Sequence, residues 1–126
     1  MGLGAVHAGV RLYAGYPMTP SSPLLSFIAE LENKTHMVVK QAEDEITAAQ
    51  LVSGAMFMGT RALTATSGVG FDLMSETMSL NAMIENPTVV EYYINGLGFT
   101  DLVKRGSTSK DSFVYFGINR QHLLQT

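Results

Sequence analysis

Residues 36–70 read HMVVKQAEDEITAAQLVSGAMFMGTRALTATSGVG, and the order of patterns in this stretch decides the fold. Residues 36–41 are short and β-branched at their centre, which predicts a strand. Residues 43–58 predict an Ala-rich helix, which Gly59 ends in the left-handed conformation. Residues 61–66 predict a second strand, and a glycine-rich turn follows it. A strand, a helix and a strand at this spacing predict parallel pairing through a right-handed crossover.

The same alternation continues on both sides of this stretch. Ser21 or Ser22 can cap a helix that carries an apolar stripe and ends near Asn33. The remaining predicted elements are helices over residues 1–9 and 71–84 and strands over residues 10–16 and 88–94. In the central helix, the candidate buried positions are Ile46, Ala49, Leu51, Val52 and Met56. The sequence therefore predicts an α/β fold, a parallel sheet with helices on both faces.

Three polar or glycine-rich segments come directly after predicted strands. They are YPMTPSS at residues 16–22, QAEDE at residues 41–45 and TSGVG at residues 66–70. Ligands of parallel α/β sheets bind outside the carboxyl ends of the strands. We therefore expect the three segments to converge on one edge of the sheet.

The second segment places Glu43, Asp44 and Glu45 at the start of the central helix. In one interpretation, these carboxylates only complement the partial positive charge of the helix amino terminus. In the other, Glu45 lies in an apolar setting and exchanges a proton with a ligand. Small residues between Ala48 and Gly54 would let that ligand or another backbone approach.

The first and third segments also allow two interpretations each. Thr19, between two prolines, either belongs to a rigid connection or presents its hydroxyl and amide to a small anionic substrate. The TSGVG segment alone predicts little more than a tight turn. The chain contains neither GxGxxG nor GxxxxGK[ST], which excludes a Rossmann dinucleotide site and a P-loop. No metal site is predicted, because the three histidines lack metal-ligand spacing.

The composition excludes several classes of function. The 126 residues contain no Cys, so this chain forms no disulfide and holds no thiolate metal site or iron–sulfur cluster. A net charge of −3 gives no basic surface for nucleic acid. No apolar run approaches the ~20 residues of a membrane span, and no basic-then-apolar leader is found. We expect a cytoplasmic protein that binds neither nucleic acid nor a membrane.

Two longer stretches, taken in order, resemble one family. Residues 13–22, YAGYPMTPSS, and residues 38–80, VVKQAEDEITAAQLVSGAMFMGTRALTATSGVGFDLMSETMSL, are similar to the pyrimidine-binding domain of 2-oxoacid:ferredoxin oxidoreductases. The similarity is closest to the alpha subunit of the 2-oxoglutarate type, and it runs from about residue 4 to residue 90. It implies the thiamine diphosphate-binding (pyrimidine domain) fold.

The resemblance implies a cofactor site. Thiamine diphosphate would lie between this domain and a partner's domain that holds its diphosphate and Mg²⁺. Glu45 matches the catalytic glutamate that hydrogen-bonds N1′ of the aminopyrimidine, and its nine-residue distance from Gly54 supports this register. Glu43 is the rival candidate. Ser67 and Gly68 match the loop near the pyrimidine and are expected to bind the cofactor.

The resemblance also implies a substrate site and partners. Thr19 matches a catalytic threonine that contacts the carboxylate and carbonyl of the substrate, and Tyr16 lines the same pocket. The implied reaction is oxidative decarboxylation of a 2-oxoacid, with 2-oxoglutarate favoured, to acyl-coenzyme A with electrons passing to ferredoxin. A beta subunit would carry the diphosphate-binding domain, and the iron–sulfur cluster would lie on a partner. The alternatives are a non-catalytic truncated fragment and a subunit of another thiamine-dependent 2-oxoacid decarboxylase.

The resemblance ends near residue 90. Residues 1–90 carry four basic and eight acidic side chains, a net charge of −4, whereas residues 91–126 carry four basic and three acidic ones, a net charge of +1. The family continues with an Arg-Pro-Gly-Pro-Ser/Thr-Gly loop, which this chain lacks after Val90. We therefore predict a truncated pyrimidine-binding domain over residues 1–90 and a divergent or frame-shifted tail over residues 91–126.

Overall fold

The computed structural model describes residues 2–19, 21–93 and 113–118, and it describes residues 92, 93 and 113–118 by their backbone alone. Within these described residues, ten elements follow one another. They are α1 (Gly2–His7), β1 (Leu12–Gly15), α2 (Ser22–Thr35), β2 (Val38–Gln41), α3 (Glu45–Phe57), β3 (Ala62–Ser67), α4 (Val69–Leu73), α5 (Ser75–Met83), β4 (Thr88–Tyr93) and β5 (Phe113–Ile118).

The five strands form one sheet in the order β2-β1-β3-β4-β5. The pairs β1–β2, β1–β3 and β3–β4 are parallel, which confirms the predicted parallel sheet. The fifth strand, β5, pairs antiparallel with β4 over six residues and was not predicted, because the sequence assigned that region to the tail. Gly15 pairs with Gln41 and Ser67 with Tyr93, so the carboxyl ends of the four parallel strands lie at one edge.

Helices cover both faces of the sheet, as predicted. Successive residues of a strand point to opposite faces, so Ala62 and Leu63 of β3 belong to different layers. On one face, Leu63 packs with Tyr13 and with Ile28 of α2, and residues of α1 border this cluster. On the other face, Ala62 packs with Val52 of α3. A third cluster joins α3, α5 and β4 and contains Ala49, Met74, Met78 and Val90.

Two predictions about the helices are wrong in detail. The predicted helix over residues 71–84 is two helices, α4 and α5, which meet at Met74. The Met74 N–H donates to Phe71 O at 3.0 Å, a tight three-residue turn that brings the buried Met74 side chain against the core. Ile46 is 41% exposed rather than buried, because the inward face of α3 begins one residue earlier, at Glu45. Gly59 has φ +85°, as predicted for the end of α3.

Three further elements are shorter than predicted, which is the usual uncertainty of helix and strand ends. Residues 1–9 contain only α1, residues 10–16 contain only β1, and residues 36–41 contain only β2. Among the described helices, the longest has 14 residues, and none combines the length and hydropathy that a bilayer crossing requires.

Candidate functional site

The three polar segments meet at the carboxyl edge of the sheet, as predicted. The Ser67 hydroxyl, at the end of β3, donates to the backbone carbonyl of Thr19 at 3.0 Å. The Ala42 N–H, just after β2, donates to Gly15 O at 2.9 Å. The first hydrogen bond joins the TSGVG segment to the YPMTPSS segment, and the second joins the QAEDE segment to the end of β1. The three segments therefore form one continuous rim.

Asp44 caps α3. Its carboxylate accepts a hydrogen bond of 2.7 Å from the Thr47 N–H, and its backbone is extended, as a residue before a helix requires. This hydrogen bond lowers the pKa of the Asp44 carboxyl. Glu43, one residue earlier, is exposed. Asp44 is therefore the residue that caps α3, rather than Glu43 or Glu45.

Glu45 is buried although it carries a carboxyl group. As the first residue of α3 it precedes Ala48, Ala49 and Val52 on the inward face of the helix, and it is only 4% exposed. Its Oε1 is buried and has no hydrogen-bond partner among the described residues. Buried polar atoms are normally hydrogen-bonded, and an orphaned carboxyl oxygen is costly, so this carboxyl group lacks a partner that a ligand or a neighbouring hydroxyl would supply.

Gly70 and Thr66 surround the Glu45 carboxyl. A Cβ on Gly70 would stand 3.0 Å from both Cγ and Oε1 of Glu45, with Thr66 Oγ1 nearer still. Thr66 is 1% exposed, and in the part of the chain that the structure describes its hydroxyl has no partner. Neither residue is among the site residues predicted from the sequence. The sequence feature that points to Thr66 is its place near the end of β3. It lies two residues after Thr64, on the same side of the strand.

The predicted substrate and loop residues lie along the same rim. Tyr16 and Thr19 are both exposed, and within residues 2–19 and 21–91 no side-chain hydrogen bond of either is found. Ser67 is buried, and its hydroxyl is occupied by Thr19 O. Gly68 has φ +52° and ψ −130°, a conformation that glycine adopts far more readily than other residues, and it is the residue before α4.

Two cavities lie elsewhere on the described surface. A groove of about 560 Å³ is mostly apolar and is lined by Ala8, Val10 and Leu63, at the amino-terminal ends of the strands. A smaller one of about 340 Å³ lies between α2 and β2 and reaches Pro17 and Gln41 at the rim. Neither of these two cavities is lined by Glu45.

Comparison with known proteins assigns the chain to a family. The family described as "Pyruvate flavodoxin/ferredoxin oxidoreductase, thiamine diP-bdg" matches residues 3–105. The chain is 48% identical over 87 residues to the 2-oxoglutarate synthase subunit KorA of Archaeoglobus fulgidus, covering 69% of this chain and 25% of that protein. It is 38% identical over 132 residues to the 2-oxoacid:ferredoxin oxidoreductase subunit alpha of Saccharolobus solfataricus, covering 95% of this chain and 20% of that one.

A solved structure is similar in fold as well as in sequence. The 2-oxoglutarate:ferredoxin oxidoreductase from Magnetococcus marinus, with 2-oxoglutarate, coenzyme A and succinyl-CoA bound, superposes with a TM-score of 0.76 at 32% identity. The match covers 87% of this chain and 21% of that chain. This chain thus spans 20–25% of the length of the relatives described. It belongs to the thiamine diphosphate-binding family of pyruvate flavodoxin/ferredoxin oxidoreductases.

Proposed function

We propose that this chain is the pyrimidine-binding part of the alpha subunit of a thiamine diphosphate-dependent 2-oxoacid:ferredoxin oxidoreductase. The observation that carries the proposal is the buried Glu45 carboxyl, whose Oε1 has no partner in the described residues, at the carboxyl edge of a parallel sheet. Ligands of such sheets bind at this edge. The family match supports the cofactor, and the names of the relatives support the reaction class.

Glu45 is the residue that we assign to N1′ of the aminopyrimidine. Its burial supports it over Glu43, which is exposed, and Gly70 lets the backbone approach the carboxyl group more closely than a side chain would allow. A carboxyl group in water-poor surroundings can donate a proton to a ring nitrogen and accept it back. When bound, thiamine diphosphate supplies the electron sink that decarboxylation of a 2-oxoacid needs.

Thr19 and Tyr16 are the residues that we assign to the substrate. Their exposure at the rim leaves their side chains accessible to a small anion. The hydrogen bond from Ser67 to the Thr19 carbonyl holds the backbone of this loop against β3. Ser67 and Gly68 would then border the cofactor, with the glycine giving the chain its turn toward α4. Of the 2-oxoacids, we favour 2-oxoglutarate, which is named in the A. fulgidus relative and the M. marinus structure.

The proposed partners are those that the resemblance to the family implies. With no Cys, this chain cannot ligate an iron–sulfur cluster, so we place the cluster on a partner subunit or domain. A beta subunit would carry the diphosphate-binding domain and its Mg²⁺, ferredoxin would accept the electrons, and coenzyme A would accept the acyl group. We infer a cytoplasmic location. The division of the chain at residue 90 stays a prediction.

The experiment is co-expression of this chain with candidate beta subunits, followed by assay of the purified complex. We expect the complex to bind thiamine diphosphate and to reduce ferredoxin with 2-oxoglutarate and coenzyme A. Pyruvate and a branched 2-oxoacid, tested in parallel, measure the substrate preference. A complex that forms but neither binds the cofactor nor oxidises any 2-oxoacid would contradict the proposal.

A further inference from the structure

We propose that Thr66 is a positioning residue for Glu45: its hydroxyl donates a hydrogen bond to Glu45 Oε1 when the aminopyrimidine occupies the site. This inference rests on the proposed function, because it concerns the same carboxyl group. It assigns a role to a buried hydroxyl that no other feature of the fold explains.

The geometry brings the two atoms close to one point. Thr66 Oγ1 and Glu45 Oε1 are two of the three atoms nearest to the position that a Cβ on Gly70 would take. The third is Cγ of Glu45 itself. The side of Gly70 that a side chain would occupy is therefore taken by one hydroxyl and one carboxyl group.

Both oxygens lack a partner within the described residues. Each is buried, and each is without a hydrogen bond in the structure. A single hydrogen bond from the hydroxyl to the carboxyl oxygen would satisfy both atoms, and rotation about the Cα–Cβ bond of Thr66 redirects its hydroxyl. The carboxyl group has two oxygens, so it can accept from Thr66 at Oε1 and turn Oε2 to the ligand.

The position of Thr66 in the strand explains why this hydroxyl reaches the carboxyl. Thr64 and Thr66 point to the same side of β3, toward α3, and both are fully buried with an unpaired hydroxyl in this structure. Thr66 lies two residues nearer the carboxyl edge, where Glu45 starts α3. Thr64 is not among the three atoms nearest to the Cβ position of Gly70. Thr64 is therefore a matched control of the same chemistry and burial, placed two residues farther from the carboxyl edge of the sheet.

The consequence is a fixed orientation of the Glu45 carboxyl. Without Thr66, the carboxyl could rotate and present either oxygen, or bind a water molecule that entered the site. A hydrogen bond to Oε1 restricts it to the orientation in which Oε2 meets N1′. We therefore expect Thr66 to affect the affinity for thiamine diphosphate only through the contact between Glu45 and N1′.

The test measures binding rather than turnover, on the complex of this chain with its beta subunit. The dissociation constants of thiamine diphosphate and of its analogue with CH in place of N1′ are measured by calorimetry for wild type, T66V, T66S and T64V. We expect T66V to weaken thiamine diphosphate about tenfold, in line with the loss of a hydrogen bond to a carboxyl, and to leave the analogue unchanged. T66S should return the affinity to within about threefold of wild type.

A general loss of folded protein changes both dissociation constants of a variant by the same factor, so it leaves their ratio unchanged. T64V should therefore keep the wild-type ratio, even if it destabilises the complex. An unchanged ratio in T66V, or an equal change in T66V and T64V, would overturn the role of Thr66. A wild-type complex that binds neither compound would instead overturn the proposed function, together with this inference.

Discussion

The Ser67 hydroxyl donates a hydrogen bond of 3.0 Å to the backbone carbonyl of Thr19, 48 residues earlier in the chain. This contact connects the loop after β1 to the end of β3, which also carries Thr66. It thus couples the proposed substrate residues to the proposed cofactor site through one buried side chain.

Replacing Ser67 with Ala should release the Thr19 loop. We expect the KM for the 2-oxoacid to rise about threefold to tenfold, with a smaller change in kcat, because the loop must be ordered again when substrate binds. Steady-state kinetics of the reconstituted complex measures both constants. Ser79→Ala, at an exposed position of α5, is the control. An unchanged KM in Ser67→Ala would show that the contact does not position the substrate loop.

Replacing Gly70 with Ala should fill the space beside Glu45. The added Cβ would lie 3.0 Å from Glu45 Oε1 and closer still to Thr66 Oγ1, so both side chains must shift. We expect affinity for thiamine diphosphate to fall by at least about tenfold, because a displaced carboxyl loses its hydrogen bond to the ligand. Gly4→Ala, where an added Cβ meets nothing within 4 Å, is the control. Equal cofactor affinity in both variants would contradict the assigned site.

The cap at Asp44 should make stability depend on pH in the acid range. The hydrogen bond from Thr47 lowers the pKa of the Asp44 carboxyl below its ordinary value of 3.8, so the folded state favours the ionised form. The cap therefore contributes its full stability above the unfolded-state pKa, and the contribution is lost as the pH falls through the lower folded-state value.

Thermal unfolding of wild type and Asp44→Ala between neutral pH and about pH 2, a range that spans the usual Asp pKa, measures this effect. Wild type should unfold at the higher temperature at neutral pH, and the difference between the two should shrink as the carboxyl is protonated. Asp44→Asn, which keeps a capping oxygen but does not titrate, should remain closer to wild type at neutral pH. A difference that stays constant over the whole range would contradict the role of the ionised carboxyl.

A buried amide network should stabilise the contact between α3 and α5. The Asn86 side-chain amide donates to Ser53 O at 2.9 Å and to Asn81 Oδ1 at 3.0 Å, and the Ser53 hydroxyl also donates to Asn81 Oδ1. Asn86→Ala removes the amide donor from both buried acceptors, and Asn81 Oδ1 keeps only the Ser53 hydroxyl, so we expect the free energy of unfolding to fall by about 1–3 kcal/mol. Urea denaturation measures it, with the exposed Asn33→Ala as control. Equal stability of the two variants would contradict this account of the network.

Glu45 faces the core because α3 begins directly after the cap at Asp44. Periodicity alone places the first inward residue of this helix one position too late. The apolar pattern of residues 43–58 favoured Ile46 as the first buried position. The helix instead begins at Glu45, and this start brings Glu45, Ala48, Ala49 and Val52 to the core. An apolar pattern cannot identify a buried carboxyl, because the hydropathy of a carboxyl predicts an exposed position.

The order of the parallel strands and the meeting of the three segments were predictable, because both follow from the alternation of strands and helices. The antiparallel strand β5 was not, since its pairing with β4 joins residues distant in sequence and no short turn marks it. Thr66 was missed for a related reason. Its importance lies in the space that it shares with Glu45 and Gly70, and a single sequence does not show which side chains share a space.

The most direct test of the central claim compares Glu45→Gln with Glu43→Gln in the reconstituted complex. Single-turnover decarboxylation of 2-oxoglutarate at saturating thiamine diphosphate measures the step that needs the carboxyl at N1′. We expect Glu45→Gln to lower this rate at least about 100-fold, the usual contribution of a positioned acid or base, and Glu43→Gln to stay within about twofold of wild type. Equal rates in the two variants would contradict the assignment of Glu45.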